Sequence, residues 1–478
     1  MKKILWVTNY GYQNSFAFVS RKLLSYFINN NDKYELYFFC IGIMSDTKII
    51  DKVNKEIGIN KNNIAYIPKI NLIDTTSEDK EYLENYIYGV TILNSVIKRW
   101  NIDLIISLCD LKAQVKQYKS INYNSKFVPY LVIDYDDGPI YKFKKIITPS
   151  LHSFNLYKRL HPKSEVYLLP HIVNVVEKKN NNKIFININK KFKIVCCATN
   201  DIRKRIDITI KAFEIFSENK NNVELIIKTN KPIGNKNQYD FYNNNDKIKI
   251  ITQFYNDYEL ENLYKNADIG ITTNSGEGFG LTPCEMSLYK VPQLIPNNTS
   301  HPWIFGDNYY GLINTYILPE IIARGTLKKI TVIKSYKHYE TQINVKKKLE
   351  ISEYIKTIIW SNNNFNDLIN QIKNYDRIQI LVNIEDIEKF LNSWLDIDLY
   401  KKLNMRKTSI IDIINLKEEL KIKVKLPYIN DLVYKMNELY DNKILRENVS
   451  QICYERIKRF SSKEISKIFK SILNSLIN

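Results

Sequence analysis

Glycine is scarce in this chain, 13 residues in 478, about 3% where about 7% is usual. A cluster of glycines is therefore informative. Histidine is scarcer still, with five residues, no zinc-type spacing and no H-E-x-x-H. The six cysteines, Cys40, Cys109, Cys196, Cys197, Cys284 and Cys453, include no C-x-x-C pair. Four lie in apolar runs and read as reduced, buried thiols of a reducing compartment. These gaps speak against a structural metal and a disulfide scaffold. No apolar run approaches the ~18 residues that span a bilayer. After Met1-Lys2-Lys3, the apolar run Ile4–Val7 is too short for the core of a signal peptide. The expected location is the cytosol, or the periphery of a membrane.

Hydrophobic residues make up 44% and charged residues 25%, as in ordinary globular proteins. At about 100–200 residues per domain, the length implies two or three domains. Lys+Arg exceed Asp+Glu by 70 to 51, a net charge of +19. That sign suits anionic partners: a membrane face, nucleic acid or phosphorylated small molecules. Lys, Asn and Ile are abundant almost everywhere, and compositional bias is the stronger account of most of the excess.

Apolar runs and helical spacings alternate along residues 1–176. Strands are expected at 3–8, 34–41, 64–67, 103–108, 128–133 and 145–148. Helices are expected from Ser15, a candidate N-cap, and at 80–100 and 150–160. The Lys- and Asn-rich stretch 177–192 reads as a linker. The same grammar restarts at 193–316, with strands at 193–198, 223–228, 248–252 and 268–273 and helices at 206–218 and 257–266. The fold class is α/β, with parallel sheets covered on both faces. Residues 317–425 are irregular and charged, with strand-like runs at Ile330–Ile333 and Ile378–Val382. They read as an insertion of unassigned role. Residues 426–478 read as two or three amphipathic helices.

Three of the 13 glycines, Gly276, Gly278 and Gly280, fall within five residues, between an expected strand and an expected helix. Glycine lets the backbone approach a ligand without a Cβ clash. The turn lies where open α/β sheets bind ligands, and the following helix start favours an anion. Such a turn can cradle a phosphate. A tight strand-to-helix turn needs glycine without any ligand, and Thr282 to Glu285 also fits a capping box with Pro283 at the first helical position. Glu277 and Glu285 bracket the turn, and carboxylates accept hydrogen bonds from sugar hydroxyls. A second loop, 199–205, carries Arg203-Lys204-Arg205 beside a helix start, where cations oppose the dipole and an anionic ligand would offset the cost. A solvated basic loop reads equally well.

Residues 193–315 resemble the donor-binding half of a GT-B glycosyltransferase, most closely the retaining family 4 group. The resemblance rests on the E-x7-E spacing from Glu277 to Glu285 with its internal Gly-Phe-Gly-Leu. Arg203-Lys204, Val291-Pro292 and Leu169-Pro170-His171 match the family's pattern beside it. The resemblance implies two Rossmann-like doubly wound domains facing a cleft, an N-terminal acceptor-side domain at 1–176 and a nucleotide-sugar domain at 193–316, with helices at 426–478 closing the fold. It implies that Glu285 binds the donor ribose and Glu277 the donor sugar. Gly278, Phe279, Gly280, Leu281 and Thr282 would line the donor, Arg203 and Lys204 would neutralise the departing diphosphate, and Gly11 would face the same cleft. Asp110 and His171 would lie on the acceptor side. The implied reaction is retaining transfer of a sugar from a nucleotide diphosphate to a hydroxyl of a glycan, lipid-linked or protein acceptor. No metal or other cofactor is expected, and no nucleic acid; an anionic membrane surface is a further partner that the charge suits. The sequence departs from the family at Lys290, where glycine is frequent, at Cys109-Asp110, where histidine is common, and at Ile172, where glycine is usual.

Three other readings fit parts of the chain. Asp134-Tyr135-Asp136 is a D-x-D, which in metal-dependent transferases of another fold holds a divalent cation; Asp396-Ile397-Asp398 matches it too. A sugar-nucleotide epimerase would use the same donor pocket without an acceptor. A non-catalytic binder of anionic polymer or membrane would use the charge alone.

Overall fold

The computed structural model describes residues 1–10, 14–31, 33–42, 48–67, 77–121, 126–173, 191–230, 245–319, 330–333, 356–359, 378–383 and 423–477. The chain divides into two units. The first is Met1–Asp134, Ile140–Thr315 and Pro427–Asn478; the second is Tyr135–Pro139 and Tyr316–Leu426.

The first unit contains two parallel sheets. In the N-terminal lobe, β1 (Lys2–Asn9), β2 (Tyr34–Ile41), β3 (Ile64–Tyr66), β4 (Leu104–Leu108) and β5 (Phe127–Pro129) are ordered β3-β2-β1-β4-β5. Every neighbouring pair runs parallel. Ile4, Leu5, Trp6 and Val7 are all fully buried. Both faces of β1 are therefore covered, which explains a continuous apolar run in place of alternation. The helices are α1 (Ser15–Ile28), α2 (Lys48–Ile57), α3 (Ser77–Ile87), α4 (Val90–Trp100) and α5 (Leu111–Ser120). A further parallel pair, β6 (Lys145–Thr148) and β7 (Glu165–Leu168), is joined through α6 (Leu151–Leu160).

The second sheet repeats the plan. Its strands are β8 (Phe192–Cys197), β9 (Val223–Lys228), β10 (Ile248–Ile251), β11 (Ile269–Ile271), β12 (Gln293–Pro296) and β13 (Leu312–Ile313), in the order β10-β9-β8-β11-β12-β13. Its helices are α7 (Ile206–Ser217), α8 (Asp257–Lys265), α9 (Leu281–Ser287) and α10 (His301–Phe305). In both sheets the order reverses beside the first strand, which is the doubly wound pattern.

Three C-terminal helices join the lobes. The first, α11 (Ile429–Asp441), packs on α7, with Tyr440 edge-on to Phe192 at 4.9 Å between centroids. Next, α12 (Lys443–Ile457) meets α9 and α10. Last, α13 (Ser462–Ile477) returns to α1, where Phe469 lies 5.0 Å from Phe27 and 6.1 Å from Trp6. One continuous apolar core runs through both sheets as a result.

In the second unit, β14 (Thr315–Pro319) pairs with β18 (Lys423–Pro427), and β15 (Ile330–Ile333), β16 (Lys356–Ile359) and β17 (Ile378–Asn383) form a parallel sheet in the order β15-β17-β16. Asp136 pairs there with Lys425 at 3.4 Å.

Several sequence expectations need correction. The helical stretch 80–100 is two helices, because Gly89 turns left-handed at φ +73°, and a Cβ there would meet the Phe39 ring at 2.7 Å. The cap of α1 is Asn14, not Ser15: its side chain accepts the Ala17 N–H at 2.8 Å. The strand expected over 128–133 ends at Pro129. Gly11, nearly all of the expected linker 177–192 and most of 317–425 lie outside the described residues.

Candidate active site

In a doubly wound sheet the binding crevice opens at the carboxyl ends of the strands, where the order reverses. In the second sheet that place lies between β8 and β11. The chain leaving β8 makes a short 3-10 turn at Ile202–Lys204, and Arg205 at φ +47° then opens α7. The chain leaving β11 makes the glycine turn. The two loops are fastened together: the Ser275 N–H donates to the Arg203 carbonyl at 2.9 Å, and Arg203 Nη1 donates to the Gly276 carbonyl at 2.8 Å.

The glycines are required by close approach and by backbone conformation. A Cβ on Gly276 would stand 1.8 Å from the Asp134 carbonyl oxygen, and one on Gly278 would stand 2.1 Å from Val132 Cγ1. Residues 132–134 of the N-terminal lobe thus lie directly on the turn. Gly280 adopts φ +86° and opens α9. This excludes the alternative reading of Thr282 to Glu285 as a capping box. Gly280 is the N-cap, no side chain caps the helix, Pro283 falls at the third helical position, and Glu285 falls in the second turn. The first N–H groups of α9 have no partner inside the helix.

Charge converges on Glu277. Lys204 Nζ bonds its Oε1, and Arg203 Nη1 approaches the same oxygen at 3.4 Å. The Glu277 N–H donates to Thr299 Oγ1 at 2.9 Å. Burial pushes this carboxyl upward, but Lys204 and Arg203 outweigh burial and hold it at about 2. It is ionised at any physiological pH. Arg203 is half-buried, and desolvation by itself disfavours its charge; Glu277 and Asp134 more than compensate and raise its pKa. Arg203 Nε pairs with Asp134 Oδ2 at 3.1 Å. The third cation, Arg205, is occupied by Asp207, with Nε to Oδ1 at 2.9 Å.

Glu285 sits in a different field. Burial lifts its carboxyl to about 7, opposed by Lys22 and by a hydrogen bond from Tyr264. That hydroxyl lies 3.4 Å from Oε2. Tyr264 also reaches Cys197 Sγ at 3.6 Å. Phe279 is buried between the His171 and Phe460 rings, each 5.1 Å away, and its carbonyl accepts from Ser300 Oγ at 3.0 Å. Leu281 and Thr282 stay partly exposed in the first turn of α9.

On the facing side, Asp110 follows β4 and opens α5 without capping it. It touches solvent, yet the surrounding protein raises its pKa, helped by the charge of Asp134. His171 is buried, with Nδ1 2.9 Å from the Tyr130 hydroxyl. Burial lowers it to about 3, so the ring is neutral. It packs on the turn through Phe279.

Two residues of this neighbourhood were missed from sequence. Asp134 was noticed only within the D-x-D, but its carboxylate meets Arg203. His301 is fully buried, with Nδ1 3.0 Å from the Pro296 carbonyl and Nε2 3.1 Å from where a Gly280 Cβ would lie. No motif signals either role; only the fold brings them to the turn. Among the described residues no group of three or more His, Cys, Asp or Glu is arranged to hold a metal ion, and no helix is long and apolar enough to cross a membrane.

Residues 177–328 match the family Glycosyl transferases group 1. No curated protein sequence matches the chain. Among solved structures, the sucrose-phosphate synthase of Thermosynechococcus elongatus aligns over 100% of this chain and 99% of its own, with TM-score 0.59 and 9% identity. An S. aureus TarM variant in complex with fondaparinux, α-GlcNAc-glycerol and UDP aligns over 100% of both chains, with TM-score 0.56 and 11% identity. The pneumococcal O-GlcNAc transferase GtfA in complex with UDP and GlcNAc aligns over 100% of this chain and 99% of its own, with TM-score 0.51 and 10% identity. At these identities the structural likeness speaks for the fold, and the family match speaks for the domain. The chain carries a glycosyl transferases group 1 domain within a GT-B-type α/β fold, and together these findings support a glycosyltransferase.

Proposed function

We propose that the protein transfers a sugar from a nucleotide-diphosphate donor to an acceptor hydroxyl, with retention at the anomeric carbon and without a metal. The observation that carries this reading is the meeting of Arg203, Lys204 and Glu277 on the glycine turn, at the switch point between β8 and β11. When the anomeric C–O bond breaks, its electron pair stays on the phosphate oxygen and negative charge grows there. Fixed cations and the start of α9 stabilise that charge where it develops. The acceptor oxygen forms the new bond to the anomeric carbon and gives up its proton to the departing phosphate oxygen, where the charge has grown. Glu285, beside Tyr264, accepts hydrogen bonds from ribose hydroxyls, and ionised Glu277 accepts from the sugar. Asp110, with its raised pKa, serves the acceptor hydroxyl, and His171 holds the turn through Phe279. The bound UDP of the S. aureus and pneumococcal structures favours a uridine donor. A glycan, lipid-linked or protein acceptor fits, and the +19 charge suits acceptors presented on an anionic surface.

Retention rests on the likeness of the Glu277–Glu285 spacing to the retaining group. The assignment of metal independence rests on Arg203 and Lys204 taking the part a divalent cation would play. A panel of UDP-, GDP- and ADP-sugars assayed for release of nucleoside diphosphate tests the reading. Wild type is expected to turn over one of them undiminished in excess EDTA, and Arg203→Ala and Glu285→Ala to lose most of that turnover. Unchanged turnover in both variants would sink the reading. Loss in EDTA that only Mg2+ or Mn2+ restores would overturn metal independence, and an isomerised sugar nucleotide in place of free diphosphate would indicate an epimerase.

A further inference from the structure

Among the described residues, Arg203 is the one cation of the site held from both lobes. Its Nη1 is fixed within the C-terminal lobe, on the Gly276 carbonyl at 2.8 Å and near Glu277 at 3.4 Å. Its Nε is fixed from the N-terminal lobe, by Asp134 at 3.1 Å. The same aspartate touches the turn a second time, since its carbonyl oxygen lies where a Gly276 Cβ would be, 1.8 Å away. Asp134 therefore contacts both the cation and the backbone that this cation grips. The Asp134 and Arg203 side chains retain only 28% and 20% of their accessible surface, so solvent screens this pair less than it would a pair on the open surface. Lys204 differs: among the described residues its ammonium pairs with Glu277, within its own lobe.

A guanidinium presents its donors in a rigid plane, so fixing two nitrogens fixes the direction of the third. One anchor would leave the plane free to swing about it. Two anchors on different lobes define its aim and make that aim depend on the lobes being together.

We propose that Asp134 is a positioning residue for glycosyl transfer: from the N-terminal lobe it orients Arg203 toward the leaving diphosphate. This rests on the reading of the site as a donor diphosphate site. Asp134 does not touch the donor in this account and contributes no binding. As a second anion beside Arg203, it opposes phosphate affinity while it sets geometry. Turnover should therefore fall without any loss of diphosphate affinity when its charge is removed, which loss of local structure would not produce.

The test is a double-mutant cycle of Asp134→Asn and Arg203→Lys, with turnover of the sugar nucleotide accepted by wild type and equilibrium binding of the matching nucleoside diphosphate, UDP, GDP or ADP. Lysine at 203 keeps a cation but not the planar fork, so turnover stays measurable. Asp134→Asn is expected to lower kcat about tenfold, with nucleoside diphosphate binding unchanged or tighter. In the Arg203→Lys background the same substitution should change kcat less than about twofold, because residues that act as a unit are non-additive. Equal cost in both backgrounds, no cost in either, or weakened diphosphate binding with the melting temperature intact would overturn the proposal. Should Asp134→Asn lower the melting temperature, Asp134→Ser enters the same cycle with the same expectations. If wild type turns over none of the sugar nucleotides, the functional reading itself fails; if wild type turns over one and the cycle is additive, only the role of Asp134 fails.

Discussion

The two lobes share one topology and one address for a ligand, yet they furnish that address differently. At the carboxyl ends of β8 and β11, the C-terminal lobe sets Arg203, Lys204 and Glu277 in contact, with Glu285 on the following helix. At the equivalent ends of β1 and β4, the N-terminal lobe offers Tyr10, bonded to Glu56 at 2.6 Å, and Asp110 with no cap to make. One lobe holds opposite charges against each other in a shielded turn, while the other, among the described residues, presents the Asp110 carboxylate near solvent. A developing diphosphate needs prearranged cations, and an acceptor hydroxyl needs at most one base. On the proposed reading, the asymmetry suits donor chemistry in the C-terminal lobe and acceptor chemistry in the N-terminal lobe.

The largest expected effect breaks the charged side. Arg203→Ala or Lys204→Ala should lower kcat by about 10²–10³-fold, as loss of one preorganised donor to a developing oxyanion does; steady-state release of nucleoside diphosphate measures it. Loss of less than about threefold in both would remove the distinction between the lobes.

A smaller effect sharpens the other side. Asp110→Asn should lower kcat about tenfold, below the ~10²–10⁴-fold range of a fully engaged general base, and leave nucleoside diphosphate binding unchanged. Weakened diphosphate binding in Asp110→Asn would place this carboxylate on the donor side.

The smallest effect compares the two glutamates of the turn through pH. Glu285 is lifted by burial to about 7 from an ordinary 4.5. Its charged form is disfavoured in the fold, so its contribution to stability falls as pH rises from 4.5 through about 7. Glu285→Gln should therefore melt with wild type at pH 4 and a few degrees above it at pH 8. Glu277, held at about 2 by Lys204 and Arg203 against burial, has the opposite sign. Its stabilising charge is fully present above 4.5 and fades as pH falls toward about 2, so Glu277→Gln should cost more at pH 7 than at pH 3. Melting curves of both variants across this range check the pair, and parallel pH responses would contradict the two environments.

What could be read from sequence follows from what each signal depends on. Most strands of both sheets were legible because their buried apolar runs are local, as in Ile4–Val7 and Ile194–Cys196, whereas the short β12 and β13 were not expected. The glycine turn and the basic loop were legible because each is a short contiguous motif after a strand. Their juxtaposition was one of two even readings of the residues, the other being a solvated basic loop, and family resemblance favoured it. The start of α9 was misread because Thr282 and Glu285 mimic a capping box, whereas the left-handed Gly280 begins the helix earlier. The break at Gly89 was missed because the apolar spacing continues across it, and only the Phe39 ring forces the glycine. Asp134 and His301 were out of reach, since each acquires its role from residues about 70 and 20 positions away along the chain.

The central claim is that Arg203 and Lys204 hold a diphosphate at the turn. Calorimetric titration of UDP, GDP and ADP into wild type and the Arg203→Ala/Lys204→Ala double variant tests it most directly. One of the three is expected to bind wild type and to bind the double variant about 100-fold more weakly, the scale of two lost charge-assisted hydrogen bonds. Equal dissociation constants for the two proteins would contradict it.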